Sequence, residues 1–308
     1  MKTVAFTTLG CRVNQYDTDA MKGLFIKAGY EVVDFEDQAD VYVINTCSVT
    51  HMGEKKSRQL IRKAKRRNEA AHVVVTGCYA QLDPDTIAAI DGVSLVIGTA
   101  NRNKIVDLVE QVEATEKQIN AVRDIMGESS FEEMPLHGNE LDKTRAFMKI
   151  QEGCNNYCAF CIIPYTRGKL KSRLIPDIVE EAKRLIANGY HEIVLTGIHL
   201  GNYGVELPGR PSLADVVKAL LELDGLYRIR FGSIESVEVS EELIDLMATD
   251  KRVCPNLHLP LQAGSDHVLK LMNRHYNLQE YKDLMAHLRS RIPDLSITTD
   301  IIAGFPQE

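Results

Sequence analysis

Strand-like and helix-like runs alternate along most of this 308-residue chain, and this alternation limits its fold more than any other feature. In residues 1–112, short runs rich in Val, Ile and Thr fit buried strands, and the runs between them fit helices. The strand-like runs are Val4–Thr8, Asp40–Asn45, His72–Thr76 and Ser94–Ile97, and the helix-like runs are Thr18–Ala28, Gly53–Arg67, Pro84–Ile90 and Asn103–Val112. Because helices separate successive strands, we predict an α/β fold with a parallel sheet in this N-terminal domain.

A second series of the same kind occupies residues 144–308. Its strand-like runs are Phe147–Ile150, Glu192–Thr196, Arg228–Phe231, Leu257–Leu261 and Ser296–Ile302, and its helix-like runs are Asp177–Asn188, Leu213–Leu223, Glu241–Ala248 and Leu278–Arg291. This repeat predicts a β/α barrel-type domain with its functional residues at the C-terminal ends of the strands. Residues 113–143 have no such periodicity and are interrupted by Pro135, so we interpret them as a linker.

Three cysteines follow the first strand of the second series at a C-x3-C-x2-C spacing: Cys154, Cys158 and Cys161. Three thiolates in one loop can hold a 4Fe–4S cube and leave one iron open for a substrate or cofactor. A structural zinc site would need a fourth protein ligand, and His137 and His191 lie well outside the loop. A disulfide framework fits poorly, since seven cysteines is an odd number and no secretory signal precedes them.

Three further cysteines each follow a strand of the first series. Cys11 follows the first strand, Cys47 the second and Cys78 the third. The carboxyl ends of parallel strands form the edge where open α/β sheets bind ligands, so we expect these thiols to share a ligand site. The alternative is three unrelated buried cysteines, because an unpaired cysteine often packs in a core, as we expect for Cys254.

Charge and hydropathy restrict the partners and the compartment. The net charge of −7 argues against a protein that coats nucleic acid generally, although a local basic patch remains compatible with it. The N-terminus has no signal-peptide pattern, and no apolar run is long enough to span a bilayer. We therefore expect no membrane association and a reducing, cytoplasmic location.

One dense basic run lies in the helix-like segment that follows Cys47. Its residues Arg58, Arg62 and Arg66 project away from the apolar face, and a second basic run contains Lys169 and Lys171. These five residues are candidate contacts to nucleic-acid phosphates. The alternative for the helix is an ordinary solvated face.

Six motifs together resemble those of the radical S-adenosylmethionine (SAM) methylthiotransferases. They are Thr8–Asn14, Asn45–Cys47, Thr76–Gln81, Gln151–Cys154, Phe160–Gly168 and His258–Ser265. The resemblance covers essentially the whole chain. It implies a methylthiotransferase domain at 1–112, a linker at 113–143 and a partial (β/α)6-type radical SAM barrel at 144–308.

The resemblance also implies the cofactors and their ligands. Cys154, Cys158 and Cys161 would hold a 4Fe–4S cluster whose open iron binds SAM, and Cys11, Cys47 and Cys78 would hold an auxiliary 4Fe–4S cluster. SAM contacts are implied for Phe160, Gly197, Ser233 and Gln262. For Gly197 and Gln262 the alternative is a role in shaping loops, and for His199 and His258 a buried structural role is as compatible as a place in the site.

The segment Leu195–Gly204 resembles the branch that acts on threonylcarbamoyladenosine. The isopentenyladenosine branch has Gly-Gln-Asn where this chain has Gly197–His199. The implied activity is transfer of a methylthio group to C2 of N6-threonylcarbamoyladenosine in tRNA, next to the anticodon, with a reducing electron donor and a sulfur source as partners. The alternatives are the isopentenyladenosine branch, the branch that modifies a ribosomal-protein aspartate, and a non-catalytic iron–sulfur or tRNA-binding module.

The family usually continues through a sixth barrel strand and a C-terminal tRNA-binding β-domain, whereas this sequence stops after Gly304–Glu308. Gln307 also stands where the family usually has Gly. We therefore expect an incomplete barrel that binds both clusters but modifies tRNA poorly.

Overall fold

The computed structural model describes residues 1–136 and 144–308. The chain forms two compact units, the first comprising Met1–Leu141 and Ile162–Lys169, and the second Asp142–Cys161 and Leu170–Glu308. The short segment Ile162–Lys169 thus belongs to the first unit, although the predicted ranges place it in the barrel domain. The predicted ranges themselves stay a prediction.

A six-stranded parallel sheet forms the centre of the first unit, in the order β2-β1-β3-β4-β5-β6. The strands are β1 Thr3–Thr8, β2 Glu31–Val33, β3 Val41–Thr46, β4 His72–Gly77, β5 Val93–Val96 and β6 Ile119–Asn120. The four predicted strands are present and paired in parallel, with ends shifted by a residue or two. Sequence reasoning missed β2 and β6, because three and two residues are too few to show a period.

The helices of the first unit are α1 Arg12–Lys27, α2 His51–Arg67, α3 Cys78–Leu82, α4 Pro84–Ala88, α5 Ile105–Thr115 and α6 Ile163–Arg167. Helix α1 begins at Arg12, so the predicted start at Thr18 was wrong. The first two turns of α1 bury polar side chains, including Asn14 and Asp17, and this hides the apolar stripe that marks an amphipathic helix.

Part of the predicted linker packs within the first unit. Ile125, Met134 and Leu136 are buried, and the Tyr16 hydroxyl of α1 donates to the Met134 carbonyl at 3.1 Å. The remaining predicted linker residues, 137–143, lie outside the described residues.

The second unit contains an open series of parallel strands and one short antiparallel pair. The strands are β7 Ala146–Lys149, β8 Gln151–Glu152, β9 Lys171–Ser172, β10 Glu192–Thr196, β11 Arg228–Phe231, β12 Asn256–His258 and β13 Ser296–Thr298. One sheet has the order β11-β10-β7, a second pairs β12 with β13, and the Ser233–His258 bridge continues the parallel pattern between them. This arrangement confirms the α/β fold with a partial barrel. The antiparallel pair of β8 and β9 was not predicted.

In the described part of the second unit, five helices accompany these strands: α7 Ile175–Ala187, α8 Leu213–Leu221, α9 Glu241–Thr249, α10 Asp266–Leu271 and α11 Leu278–Arg291. Helix α11 has the predicted ends. Its start is fixed by a capping box in which Asn277 and Glu280 satisfy each other's backbone N–H groups. Among the described residues, every helix is too short or too polar to cross a lipid bilayer.

Candidate functional site

The three cysteines of the first unit lie at the carboxyl ends of neighbouring strands. Cys11 precedes α1 directly after the β1 turn, Cys47 follows β3, and Cys78 is the first residue of α3 after β4. Gly10 has a φ of +99°, and a Cβ at this position would lie 3.0 Å from both Cβ and Sγ of Cys47. Glycine therefore permits the Cys11 turn to approach Cys47 this closely. The predicted placement at one sheet edge agrees with the strand order.

The three thiols are close enough to affect one another electrostatically. Burial raises the pKa of the Cys47 thiol, and the charges of Cys78 and Cys11 raise it further, while the Arg167 guanidinium acts in the opposite direction. Three soft sulfur donors with mutually repelling thiolate charges suit a ligand that carries positive iron, so the residues fit an iron–sulfur cluster.

Hydrogen bonds hold the cysteine-bearing turns together. The Asn14 amide of α1 donates to the Leu9 carbonyl at 2.7 Å and to the Thr46 carbonyl at 3.0 Å. Asn45 donates to the Asn14 carbonyl at 2.9 Å, and the Thr46 hydroxyl donates to the Thr76 carbonyl at 2.6 Å. Asn14 thus connects the turn before Cys11 with the end of β3 before Cys47, and Thr46 connects β3 with β4 before Cys78. Sequence reasoning missed this framework.

The cysteines of the second unit lie in the loop after β8. Cys154, Cys158 and Cys161 are each partly exposed. The Asn156 N–H donates to the Cys154 sulfur at 3.4 Å, and the Cys161 N–H donates to the Cys158 carbonyl at 2.9 Å. Tyr157 has a φ of +46°, so the loop turns tightly between the first two cysteines.

Two of these sulfurs contact cationic side chains, and each cation is bonded to a carboxylate. His199 Nδ1 lies 3.5 Å from the Cys154 sulfur, and its Nε2 is hydrogen-bonded to Glu238. Burial would lower the pKa of His199, but its bonds to Cys154 and Glu238 outweigh burial and raise the pKa to about 9. His199 therefore connects the Cys154 loop to Glu238.

Arg274 makes the corresponding contact in the same loop. Its Nη1 donates to the Cys158 sulfur at 3.1 Å, and its Nη2 is paired with Glu235. Sequence reasoning left the role of His199 open and missed Arg274, Glu235 and Glu238. These three residues lie in irregular or 3-10 segments, where the strand and helix periodicity used to predict the barrel gives no signal.

The described residues contain no group of three His, Cys, Asp or Glu side chains arranged for a single metal ion. A 4Fe–4S cube differs from a single ion, because each thiolate bonds a different iron.

Of the predicted SAM contacts, Gly197, Ser233 and Gln262 follow barrel strands, and Phe160 lies in the cysteine loop. A Cβ on Gly197 would lie 2.9 Å from Gln151 Oε1, so local packing by itself requires glycine there. Ser233 forms a parallel bridge with His258, and Gln262 has a φ of +67°. Phe160 is 40% exposed. Contact of these residues with SAM stays a prediction.

The predicted tRNA contacts differ in accessibility. Arg62 and Arg66 are exposed on α2 and, with Lys65, line an open pocket of about 480 Å³. Arg58 is half-buried and donates to the Tyr79 hydroxyl at 2.7 Å, so it also supports the segment next to Cys78. These observations single out Arg62 and Arg66 on this helix.

The second basic run is divided by burial. Lys169 is exposed, whereas Lys171 lies on β9 and is only 4% exposed. A phosphate cannot reach a buried ammonium group without rearrangement, so Lys171 has no part in the tRNA surface proposed below.

Two family models and several curated relatives match this chain. The family described as "Uncharacterized protein family UPF0004" matches residues 3–98, and the "Radical SAM superfamily" matches residues 148–308. The threonylcarbamoyladenosine tRNA methylthiotransferase MtaB of Bacillus subtilis (strain 168) is 47% identical over 312 residues, covering 100% of this chain and 68% of the relative. A tRNA-2-methylthio-N(6)-dimethylallyladenosine synthase of Thermodesulfovibrio yellowstonii is 36% identical over 311 residues, covering 100% of this chain and 70% of the relative.

Among solved structures, the radical S-adenosylmethionine methyltransferase TsrM from Kitasatospora setae, with cobalamin and a [4Fe-4S] cluster bound, matches with a TM-score of 0.69. The match covers 100% of this chain and 70% of that chain at 15% identity, so it bears on the fold alone. The sequence relatives confirm the predicted family: this chain belongs to the radical SAM methylthiotransferases.

Proposed function

We propose that this protein transfers a methylthio group to C2 of N6-threonylcarbamoyladenosine in tRNA. The observation that carries the proposal is the presence of two separate three-cysteine sites, one at the edge of the first unit's sheet and one in the loop after β8. The likeness to the Bacillus relative, by its printed name, supports the choice of nucleoside.

The six cysteines would hold two 4Fe–4S clusters. Cys154, Cys158 and Cys161 leave one iron open for SAM, and the cysteines of the first unit hold the second cluster. When bound, the clusters and SAM supply the radical, sulfur and methyl chemistry that an unactivated C–H bond requires and that side chains lack.

The protein's own side chains hold and orient these groups. In the second unit, the Asn156 N–H and the Arg274 guanidinium donate to the sulfurs of Cys154 and Cys158, and His199 contacts the Cys154 sulfur, so these residues orient the cluster thiols. In the first unit, Asn14 and Thr46 keep the three cysteine turns in register. No side chain is assigned as a general base or a nucleophile.

Cysteine substitutions test the assignment of the two sites. Anaerobically reconstituted protein should contain about eight irons per chain. Replacing Cys154, Cys158 and Cys161 together by Ala should abolish SAM cleavage but leave the other cluster, and Cys47→Ala should remove only that other cluster. Cys254→Ala is the matched control, because Cys254 is buried apart from both loops in sequence and should leave iron content unchanged. SAM cleavage at the parent rate by the triple variant would exclude the assignment.

The nucleoside is tested with two tRNAs that differ only in the modified adenosine. With SAM and a reductant, mass spectrometry of the digested tRNA should show a methylthio group on threonylcarbamoyladenosine and none on isopentenyladenosine. Preference for isopentenyladenosine would support the second branch instead. Cluster binding without SAM cleavage would support a non-catalytic iron–sulfur module.

The tRNA backbone is proposed to contact α2 through Arg62 and Arg66, with Lys169 as a further contact. Both arginines are exposed and flank an open pocket that Lys65 also lines. Arginines on an exposed face of an otherwise acidic protein suit phosphate oxygens.

Two further partners follow from the stoichiometry of the reaction. Each product molecule gains one sulfur atom, so continued turnover needs a sulfur source, and cluster reduction needs an electron donor. We place the reaction in the reducing cytoplasm, where thiolates and tRNA coexist. Because two 4Fe–4S clusters hold about eight sulfide ions, turnover beyond about eight products per chain without added sulfide would contradict the need for an external sulfur source.

A further inference from the structure

We infer that Arg167 is a positioning residue for the cluster of the first unit, where its guanidinium donates to the Cys78 sulfur and places a positive charge at the three-cysteine site. This inference rests on the proposed binding of a cluster by Cys11, Cys47 and Cys78. Arg167 follows the C-x3-C-x2-C loop in sequence, yet it packs within the first unit.

The contacts of Arg167 are specific. Its Nε donates to the Cys78 sulfur at 3.4 Å, its Nη1 donates to Asp17 Oδ2 at 2.9 Å, and its Nη2 is bonded to Asn14 Oδ1. The side chain is 0% exposed. A planar guanidinium presents donors in fixed directions, so these three bonds together define both the place and the orientation of its charge.

Through Asn14, Arg167 is also connected to the other two cysteine turns. Asn14 donates to the carbonyls of Leu9 and Thr46, which precede Cys11 and Cys47 by two residues and one residue. One guanidinium therefore contacts the third cysteine directly and contacts the residue that joins the first two turns. The three ligands are held in register partly by this side chain.

The backbone around Arg167 is fixed independently. Gly168 ends α6 with a φ of +72°, and a Cβ there would lie 2.6 Å from the Ile125 carbonyl oxygen. The Thr99 hydroxyl donates to the Thr166 carbonyl. Glycine thus allows α6 to end against Ile125, and the end of the helix presents Arg167 to the cysteine edge.

The charge of Arg167 has a predictable effect on a bound cluster. Reduction adds an electron, and the neighbouring positive charge on the buried Arg167 guanidinium stabilises the more negative state. The N–H donated to sulfur acts in the same direction, since hydrogen bonds to cluster sulfurs are one of the factors that set its potential. Arg167 should therefore raise the reduction potential of this cluster.

Arg102 provides a matched control. It is 1% exposed and pairs with Asp17, as Arg167 does, but its other described partner is the Glu132 carboxylate, at 3.1 Å from Nε. Substituting either arginine disturbs the same buried carboxylate. Substitution of Arg167 also removes the described donor to the Cys78 sulfur, so a purely structural role predicts equal effects from the two changes.

The test uses the full chain with Cys154, Cys158 and Cys161 replaced by Ala, so that one cluster remains. Its midpoint potential is measured by an anaerobic redox titration followed by electron paramagnetic resonance. Arg167→Gln should make reduction at least tenfold less favourable, a negative shift of about 59 mV for one electron. Arg167→Lys, which keeps the charge but not the donor geometry, should shift the potential less, and Arg102→Gln should leave it unchanged.

The outcomes are distinguishable. Equal shifts in the Arg167→Gln and Arg102→Gln proteins, or no shift in either, would overturn the inference while leaving the cluster in place. A parent that binds no iron would overturn the cluster assignment and the inference with it. If Arg167→Gln fails to fold, the Arg167→Lys protein decides, because an unchanged potential and spectrum there would refute a role for the donor geometry.

Discussion

Asp17 is the carboxylate whose removal should most destabilise the first unit. It is 0% exposed and accepts hydrogen bonds from both Arg102 and Arg167, which are 1% and 0% exposed. Asp17→Asn keeps the shape of the side chain but leaves two buried guanidinium groups without their shared counter-charge. Breaking a buried ion pair by removing one partner costs about 3–5 kcal/mol of the free energy of unfolding.

An exposed ion pair in the same unit is the control. Lys2 and Glu113 are 2.6 Å apart, with side-chain exposures of 56% and 19%. Such pairs contribute roughly 0–1 kcal/mol, because water and salt screen them. Glu113→Gln should therefore change the stability of the first unit far less than Asp17→Asn.

Hydrogen exchange measured by mass spectrometry gives the stability of the first unit without requiring the whole chain to unfold in one step. The peptides to follow are those of β3 and β4, at the centre of the sheet. A loss of about 3–5 kcal/mol corresponds to exchange faster by roughly two to four powers of ten. An Asp17→Asn protein whose β3 and β4 amides exchange within tenfold of the Glu113→Gln protein would refute the reasoning.

Three more predictions follow from described contacts. Replacing Arg62 and Arg66 by Gln should reduce the log–log salt slope of tRNA binding by about one unit per lost phosphate contact, whereas loss of two exposed cations from α11 should leave the slope unchanged in filter-binding assays. Burial would raise the pKa of Glu192, but Arg230, Arg145 and Arg228 outweigh it and lower that pKa, so its stabilisation is present above pH ~4.3 and is lost as the pH falls through the lower folded pKa. Glu192→Gln should accordingly lower stability by about 1 kcal/mol at pH 7 and little at pH 2, as measured by thermal unfolding. Burial raises the pKa of the Cys254 thiol, so iodoacetamide should label it at least roughly tenfold more slowly than exposed Cys11 in cluster-free protein, as read by peptide mass spectrometry.

The sequence predicts the sheet and the cysteine edge because both depend on local patterns. Strands β1, β3, β4 and β5 are rich in β-branched residues, and each of the first three is followed by a cysteine. Because the strands pair in parallel, the cysteines that follow them lie at one edge of the sheet. This placement can be predicted without information on contacts between distant residues.

The missed features depend on contacts between distant residues. Asn14 and Asp17 are short polar residues ahead of the predicted helix, and their burial is explained only when the fold brings the Thr46 carbonyl and Arg167 to them. Arg167 itself belongs to a basic run that suggests solvent or phosphate, and only the packing of α6 in the first unit shows that its side chain is buried. Lys171 was misread for the same reason, since a two-residue strand buries it.

The separation of Asp17 and Arg167 along the chain affects how the protein folds as it is synthesised. They are 150 residues apart and in hydrogen-bonding contact. At about 5–20 residues per second, a ribosome needs roughly 8 to 30 seconds to extend the chain from one to the other. During that interval Asp17 lacks this partner. The sheet edge that carries Cys11, Cys47 and Cys78 also lacks the guanidinium that contacts Cys78 and Asn14. The first unit can therefore complete its fold only after the cysteine loop of the second unit has been synthesised. A gene divided before Arg167 would leave the first unit without this side chain.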